Sequence, residues 1–287
     1  METPKALQET YSRWQKAGRP MQEPSRWKLH AWTRQLPEYA SVFESYPSGP
    51  IGRSKGIELV GRITDEEAAV RAFLLAMIWG YGPVGYGPFR TLRVLNSFDA
   101  PRHLLEIAEI AQSQGGLAAF EHIEKQRRSN RAYLKYLGPA FGTKYLYFFT
   151  ASVNPIAPSP VMDAVVVRWF RKNVKDVALN VIPWDSHSYG AFLTHLEYWA
   201  GSLVGDSEPL NLADVEYLIF ASGASFELST EWSEEWEKTE SQVSVGDLLD
   251  RLRAVVTAQA NVDDRAVQLI EELEAALESK LQIVEVD

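Results

Sequence analysis

The chain of 287 residues contains no cysteine. That absence excludes disulfides and thiolate metal sites and suits a reducing cytoplasm, where we expect the protein to reside. No run of about 18 apolar residues occurs, so no membrane span is expected. The opening residues Met-Glu-Thr-Pro-Lys lack the basic flank and apolar stretch of a signal peptide. The five histidines (His30, His103, His122, His187, His195) show no metal-ligand spacing, and only His187 and His195 share a region. Neither a metal nor another cofactor is expected. Alternating patterns typical of strands are also scarce, which makes the expected class mainly α.

What is present is an apolar and aromatic composition: 46% hydrophobic residues and nine tryptophans, enough for a folded core. The net charge of −9 divides unevenly. Residues 224–287 hold 16 acidic and 5 basic side chains, whereas residues 1–223 hold 22 and 24. The acidity therefore belongs to the C-terminal segment, and the rest of the chain is close to neutral. A near-neutral surface can still meet phosphates through backbone N–H groups and a few placed cations.

Breakers at Pro20, Pro24, Pro37, Pro47 and Pro50 make residues 1–60 an expected N-terminal arm of short helices. A helix over 64–79 is expected, with Thr64 as N-cap and Glu67 completing a capping box. Apolar periodicity predicts further helices over 88–95, 101–113, 117–137, 144–151, 164–175, 188–203 and 211–221. Residues 61–223 are thus expected to form the main domain, and 224–287 an acidic helical extension with helices over 244–258 and 262–280. Between the first two main-domain helices lies a Gly-rich loop, residues 80–87. Its Gly80-x-Gly82-x-x-Gly85 spacing matches a dinucleotide fingerprint, but that motif needs a preceding strand, and Pro83 interrupts it here.

The most informative stretch is 134–170. Gly138, Pro139 and Gly142 punctuate an apolar helical pattern, so two helices joined by a short turn are expected, the second starting near Phe141 to Thr143. Such a start leaves backbone N–H groups free to bind phosphate. Pro155, Pro158 and Pro160 then enforce an extended crossing. Asp163 follows with the chemistry of an N-cap. Lys144 and Asp163 lie 19 positions apart, each near a helix start, and so form a candidate nucleophile and charge stabiliser in one cleft.

Gly142-Thr143-Lys144 and Pro160-Val161-Met162-Asp163, at this spacing, resemble the helix-hairpin-helix DNA glycosylase superfamily and its 8-oxoguanine glycosylase-like branch. The resemblance implies a two-lobed helical glycosylase fold in which Lys144 attacks the sugar and Asp163 assists. It implies that Gly138, Pro139, Ala140, Phe141, Gly142 and Thr143 grip the DNA backbone, and that the loop after the first helix lines the base pocket or supplies the duplex wedge. Tyr81, Tyr86 and Arg90 are placed for that work. Two positions depart from the family. Ala140 stands where the hairpin usually carries its first glycine. Phe148 stands four residues after Lys144, where a small cysteine commonly meets the damaged base. The iron–sulfur cluster of some superfamily members is excluded by the lack of cysteine.

The expected activity is extrusion of a modified base from double-stranded DNA and cleavage of its N-glycosidic bond, with AP-lyase activity as an extension. The substrate is an oxidised purine or a hypermodified phage base such as glucosylated hydroxymethylcytosine, since some bacterial relatives serve anti-phage defence. Attack requires a neutral Lys144, and desolvation by Tyr145 and Phe148 is expected to lower its pKa from about 10.4. The alternative is a non-catalytic DNA-binding or regulatory module whose acidic extension recruits a protein partner.

The extension itself generates a test. Its charge repels phosphate over a Debye length of about 8–10 Å at physiological salt. Deletion of residues 224–287 is expected to raise DNA affinity at low salt and to converge with the full chain at high salt in a gel-shift titration. An insoluble or less stable truncation would instead mean that Val267, Ile270, Leu273 and Leu277 clad the domain.

Overall fold

A computed structural model describes residues 1–83, 87–204 and 210–223, all within one compact unit spanning residues 1–234. The two expected tail helices lie outside the described residues. Twelve α-helices account for most of the described chain, with one 3-10 turn and no strand. They run α1 (Lys5–Lys16), α2 (Leu29–Gln35), α3 (Ala40–Glu44), α4 (Arg53–Val60), α5 (Glu66–Tyr81), α6 (Gly87–Leu95), α7 (Ala100–Gln114), α8 (Gly116–Ser129), α9 (Pro139–Val153), α10 (Ala164–Asn173), α11 (Ser186–Val204) and α12 (Leu212–Gly223). Only an antiparallel bridge between Ser25 and Ile51 is extended pairing, so the strand that a dinucleotide site needs before Gly80 is absent from the described residues. None of the described helices is long and apolar enough to cross a membrane.

Two helices form the centre because they are apolar on nearly every face. In α5 every residue from Ala72 to Trp79 is buried, and in α9 every residue from Gly142 to Ala151. Helix α9 packs against α4, α5, α7 and α8, while α12 packs against α1, α10 and α11. Tyr145 ties the first group together: its hydroxyl donates to Ala69 O at 3.1 Å and Leu104 O at 3.2 Å, and its ring meets Phe73 edge-on. The second group is filled by Trp169, Phe170, Phe192 and Trp199, with the His195 ring wedged among them. His195 Nδ1 lies 2.8 Å from Ala191 O in its own helix, so this histidine is a packing residue.

Several helix ends differ from the sequence expectations, each for a local reason. Asp65, not Thr64, caps α5: its Oδ1 accepts from Ala68 N at 2.8 Å, and the Thr64 hydroxyl donates to the other oxygen. Helix α8 stops at Ser129, because Asn130 turns the chain by accepting Ala132 N, and Leu134 then adopts a left-handed φ of 42°. Helix α9 begins at Pro139 rather than near Phe141, with proline at the first-turn position where its missing N–H costs nothing.

Gly116, the first residue of α8, lies where the crossing between α9 and α10 passes. A Cβ there would fall 1.9 Å from Ser159 Oγ and 2.5 Å from its Cβ. Gly116→Ala is therefore expected to cost about 1–3 kcal/mol by overpacking. Gly116→Ala combined with Ser159→Gly should recover part of the lost melting temperature in thermal denaturation.

Candidate active site

The turn before α9 is held from outside. Arg127 Nη2 donates to Leu134 O and, at 2.7 Å, to Leu137 O, and Trp184 Nε1 donates to Leu137 O at 3.0 Å. Arg127 reads from sequence as one of two solvated basic residues; here it is spent on the turn's carbonyls. Trp184 also explains Gly142. A Cβ on Gly142 would lie 2.1 Å from Trp184 Cη2, so the glycine makes room for the indole. Of the expected backbone-gripping residues, Gly138, Ala140 and Phe141 are half-buried, while Pro139, Gly142 and Thr143 are buried.

Thr143 and Lys144 fix the crossing segment. Thr143 Oγ1 accepts from Met162 N at 3.0 Å, and one residue further Lys144 Nζ donates to Asp163 Oδ2 at 3.0 Å. The remaining oxygen of Asp163, Oδ1, accepts from Val165 N at 3.0 Å and Val166 N at 3.2 Å, so Asp163 caps α10 as expected. Upstream, Ser159 N donates to Thr150 Oγ1 and Tyr189 Oη donates to Pro160 O. Lysine and aspartate side chains are only 10% and 14% exposed. Burial by itself raises the pKa of the Asp163 carboxyl; the Lys144 ammonium and the two N–H donors outweigh it and hold the group below the ordinary range.

The stem of Lys144 runs over Gly80 at the end of α5. A Cβ at Gly80 would sit 2.6 Å from Lys144 Cδ and 3.0 Å from Phe141 Cε1. Phe141 places its ring 5.2 Å from the ammonium and stacks on Tyr81 with centroids 3.9 Å apart. The Gly-rich loop and the hairpin thus meet beside the lysine, joined by an aromatic pair. Tyr81 is committed to that stack, Arg90 is exposed, and Tyr86 lies outside the described residues. Gly80 carries no signal in one sequence that would tell its role from that of any loop glycine.

Phe148 belongs to the core. Its ring is fully buried, faces Gly56 of α4, where an added Cβ would lie 2.4 Å away, and packs edge-on to Trp79. Tyr145 is likewise core, so neither aromatic expected to desolvate Lys144 stands beside its amine; Phe141 does.

A second buried ion pair, unforeseen from sequence, lies close by. Arg53 of α4 and Glu216 of α12 approach to 2.7 Å with side chains 8% and 1% exposed. Arg53 Nε also donates to Gln22 Oε1 at 2.7 Å, and the guanidinium rests over Tyr147 at 4.8 Å and Trp79 at 5.4 Å. Burial raises the Glu216 pKa against the pull of Arg53, and the carboxyl also feels Asp163 and Lys144, so the two pairs share one electrostatic neighbourhood. No group of three or more metal-ligating side chains occurs among the described residues.

No curated protein and no solved structure matches the chain. Residues 18–220, which contain the hairpin, the crossing and both ion pairs, match the family described as "Putative 8-oxoguanine DNA glycosylase OGG-like protein", and the chain belongs to that family.

Proposed function

We propose that the protein is a DNA glycosylase in which Lys144 is the amine that attacks the sugar and Asp163 the carboxylate that stabilises it. The observation that carries this reading is the 3.0 Å contact between the two groups, both largely withdrawn from water at the start of neighbouring helices. Extrusion of a base from duplex DNA costs a few kcal/mol, least for damaged or weakly stacked bases. As the N-glycosidic bond breaks, its electron pair leaves with the base and positive charge grows on the sugar. The fixed charge of Asp163 stabilises that cation. Capture of C1′ by the Lys144 nitrogen forms a new C–N bond once the ammonium has lost a proton. Asp163 Oδ2 is in reach to accept it. Ring opening then gives a Schiff base, from which strand cleavage at the abasic site can follow. The family name points to an oxidised purine; the phage-modified cytosine is the other candidate.

Borohydride reduction traps such an intermediate. On duplexes carrying oxidised bases and on glucosylated phage DNA, wild type is expected to be trapped on its substrate. Lys144→Gln should give no covalent product while keeping its fold and DNA affinity. Full trapping by that variant would remove Lys144 from the mechanism. DNA binding without reaction on any duplex would favour the non-catalytic module.

Asp163→Asn should lower the excision rate by orders of magnitude. It should also destabilise the fold by up to about 3 kcal/mol, because asparagine can keep the cap but leaves a nearly buried ammonium without its counter-charge. The sign of the pH dependence follows from the depressed Asp163 pKa. The contribution is complete above the ordinary carboxylate value near 4, and is lost as pH falls through Asp163's lower folded value. The gap in melting temperature between wild type and Asp163→Asn should therefore close on acidification. A gap that is constant from neutral to strongly acidic pH would mean that the ion pair contributes nothing to stability.

A further inference from the structure

Aspartate and glutamate are missing from residues 68–98 and 125–162, the two longest acid-free runs in the chain, which carry three and six basic side chains. Folding brings the two runs together. Phe141 stacks on Tyr81 beside the Lys144 ammonium. Helix α6 begins against that stack, since a Cβ on Gly87 would fall 2.7 Å from Tyr81 Cβ. Further along α6, Arg93 Nη2 donates to Tyr136 Oη at 2.6 Å and ties the helix to the turn before α9. A line of contacts therefore leads from Lys144 to Arg93.

The surface at the end of that line suits an anion. On α6, Phe89, Arg90 and Arg93 are exposed while Thr91, Val94 and Leu95 are buried, so one ring and two cations share the outer face. The Arg93 guanidinium lies 3.8 Å from the centre of the Tyr136 ring and 5.8 Å from that of Phe89. Lys135, also exposed, holds its ammonium 5.6 Å from the Tyr136 ring. These contacts fix the guanidinium without neutralising it, and the hydrogen bond to Tyr136 leaves most of its five N–H donors for a ligand. Among the described residues no carboxylate pairs with Arg90, Arg93 or Lys135, whereas the exposed Arg102 and Arg128 pair with Asp99 and Glu124. A cation held in place by aromatic rings loses less side-chain entropy on binding than a loose one.

We infer that Arg90, Arg93 and Lys135, ordered by Phe89 and Tyr136, form a second DNA contact that meets backbone phosphates beside the reacting nucleotide. Arg93 lies six residues beyond Gly87, about 9 Å of helix. One strand of a duplex carries a phosphate every 3.4 Å of axis or so, which places the contact roughly two to three nucleotides from the site. It rests on the reading of the protein as a DNA glycosylase. It adds side-chain cations to the backbone N–H groups expected of the hairpin. Phosphate contacts read no base edge, so this one raises affinity for every sequence alike.

The test follows binding of the full-length protein to an undamaged duplex by fluorescence anisotropy from about 50 to 200 mM salt. Each neutralised phosphate contributes about −0.9 to the slope of log affinity on log salt. Arg93→Gln is expected to flatten that slope by about 1, and the triple change R90Q/R93Q/K135Q by about 2.7. Arg93→Lys should keep the slope, because the charge remains. Should the triple variant fail to fold, Arg90→Gln and Lys135→Gln, which break no hydrogen bond among the described residues, decide by a shift of about 1 each. An unchanged slope, or one that flattens only on single-stranded or RNA oligomers, overturns the contact. Base release separates this result from the proposed function. Release by wild type with unchanged slopes in the variants removes the contact and leaves the glycosylase reading standing. A flattened slope, with no base released by wild type from any DNA, keeps the contact and removes the glycosylase reading.

Discussion

Two consecutive contacts with the same sequence separation fix the geometry on which the site depends. Thr143 bonds Met162 and Lys144 bonds Asp163, each across 19 residues. Together they lock the register of the extended crossing against α9, much as adjacent rungs lock two strands. A slip by one residue would leave the buried Met162 N–H without its acceptor and a nearly buried ammonium opposite a backbone position, a cost of several kcal/mol. Asp163 then divides its two oxygens, one to α10 and one to the lysine. The carboxylate cannot rotate away from Lys144 without uncapping a helix, which adds about 1 kcal/mol to the penalty. Orientation of the charged group is thereby built from secondary structure.

Neither buried ion pair is a strong argument for stability by itself, since desolvation offsets most of the attraction. The Arg53–Glu216 pair joins α4 to α12, and Lys144–Asp163 joins α9 to the start of α10. In both, the positive partner belongs to the α9-centred helices or their neighbour and the negative partner to the group around α12. Complementary charges thus face each other across the boundary between the two helix groups.

How much was legible in advance follows the range of the interactions. Asp163 as a cap and the proline-enforced crossing are local chemistry, so the sequence shows them; the pairing with Lys144 followed from two helix starts and a recognisable spacing. Local competition between near-equivalent residues was harder: Thr64 and Asp65 can both cap α5, and the aspartate prevails. The end of α8 depends on Asn130 and a left-handed Leu134, which apolar periodicity alone cannot reveal. The misplacement of Phe148 has a different origin. Four residues from Lys144 it shares a helix face only loosely, and Gly56, a residue 92 positions away, opens the space that draws its ring into the core. Arg53, Glu216 and Gly80 were missed for the same reason, as their partners are remote in the chain.

The glycines around α9 have a consequence for how such a protein can diversify. Gly56 faces Phe148, Gly80 faces the Lys144 stem and Gly142 faces Trp184, each at a distance that admits no extra carbon. Any single enlargement at these points presses on α9 or on the side chains it carries, so the Lys144–Asp163 contact is insulated from gradual change. Change at these three points therefore requires a paired change in the facing side chain, so the placement of Lys144 opposite Asp163 is inherited as a block and not residue by residue.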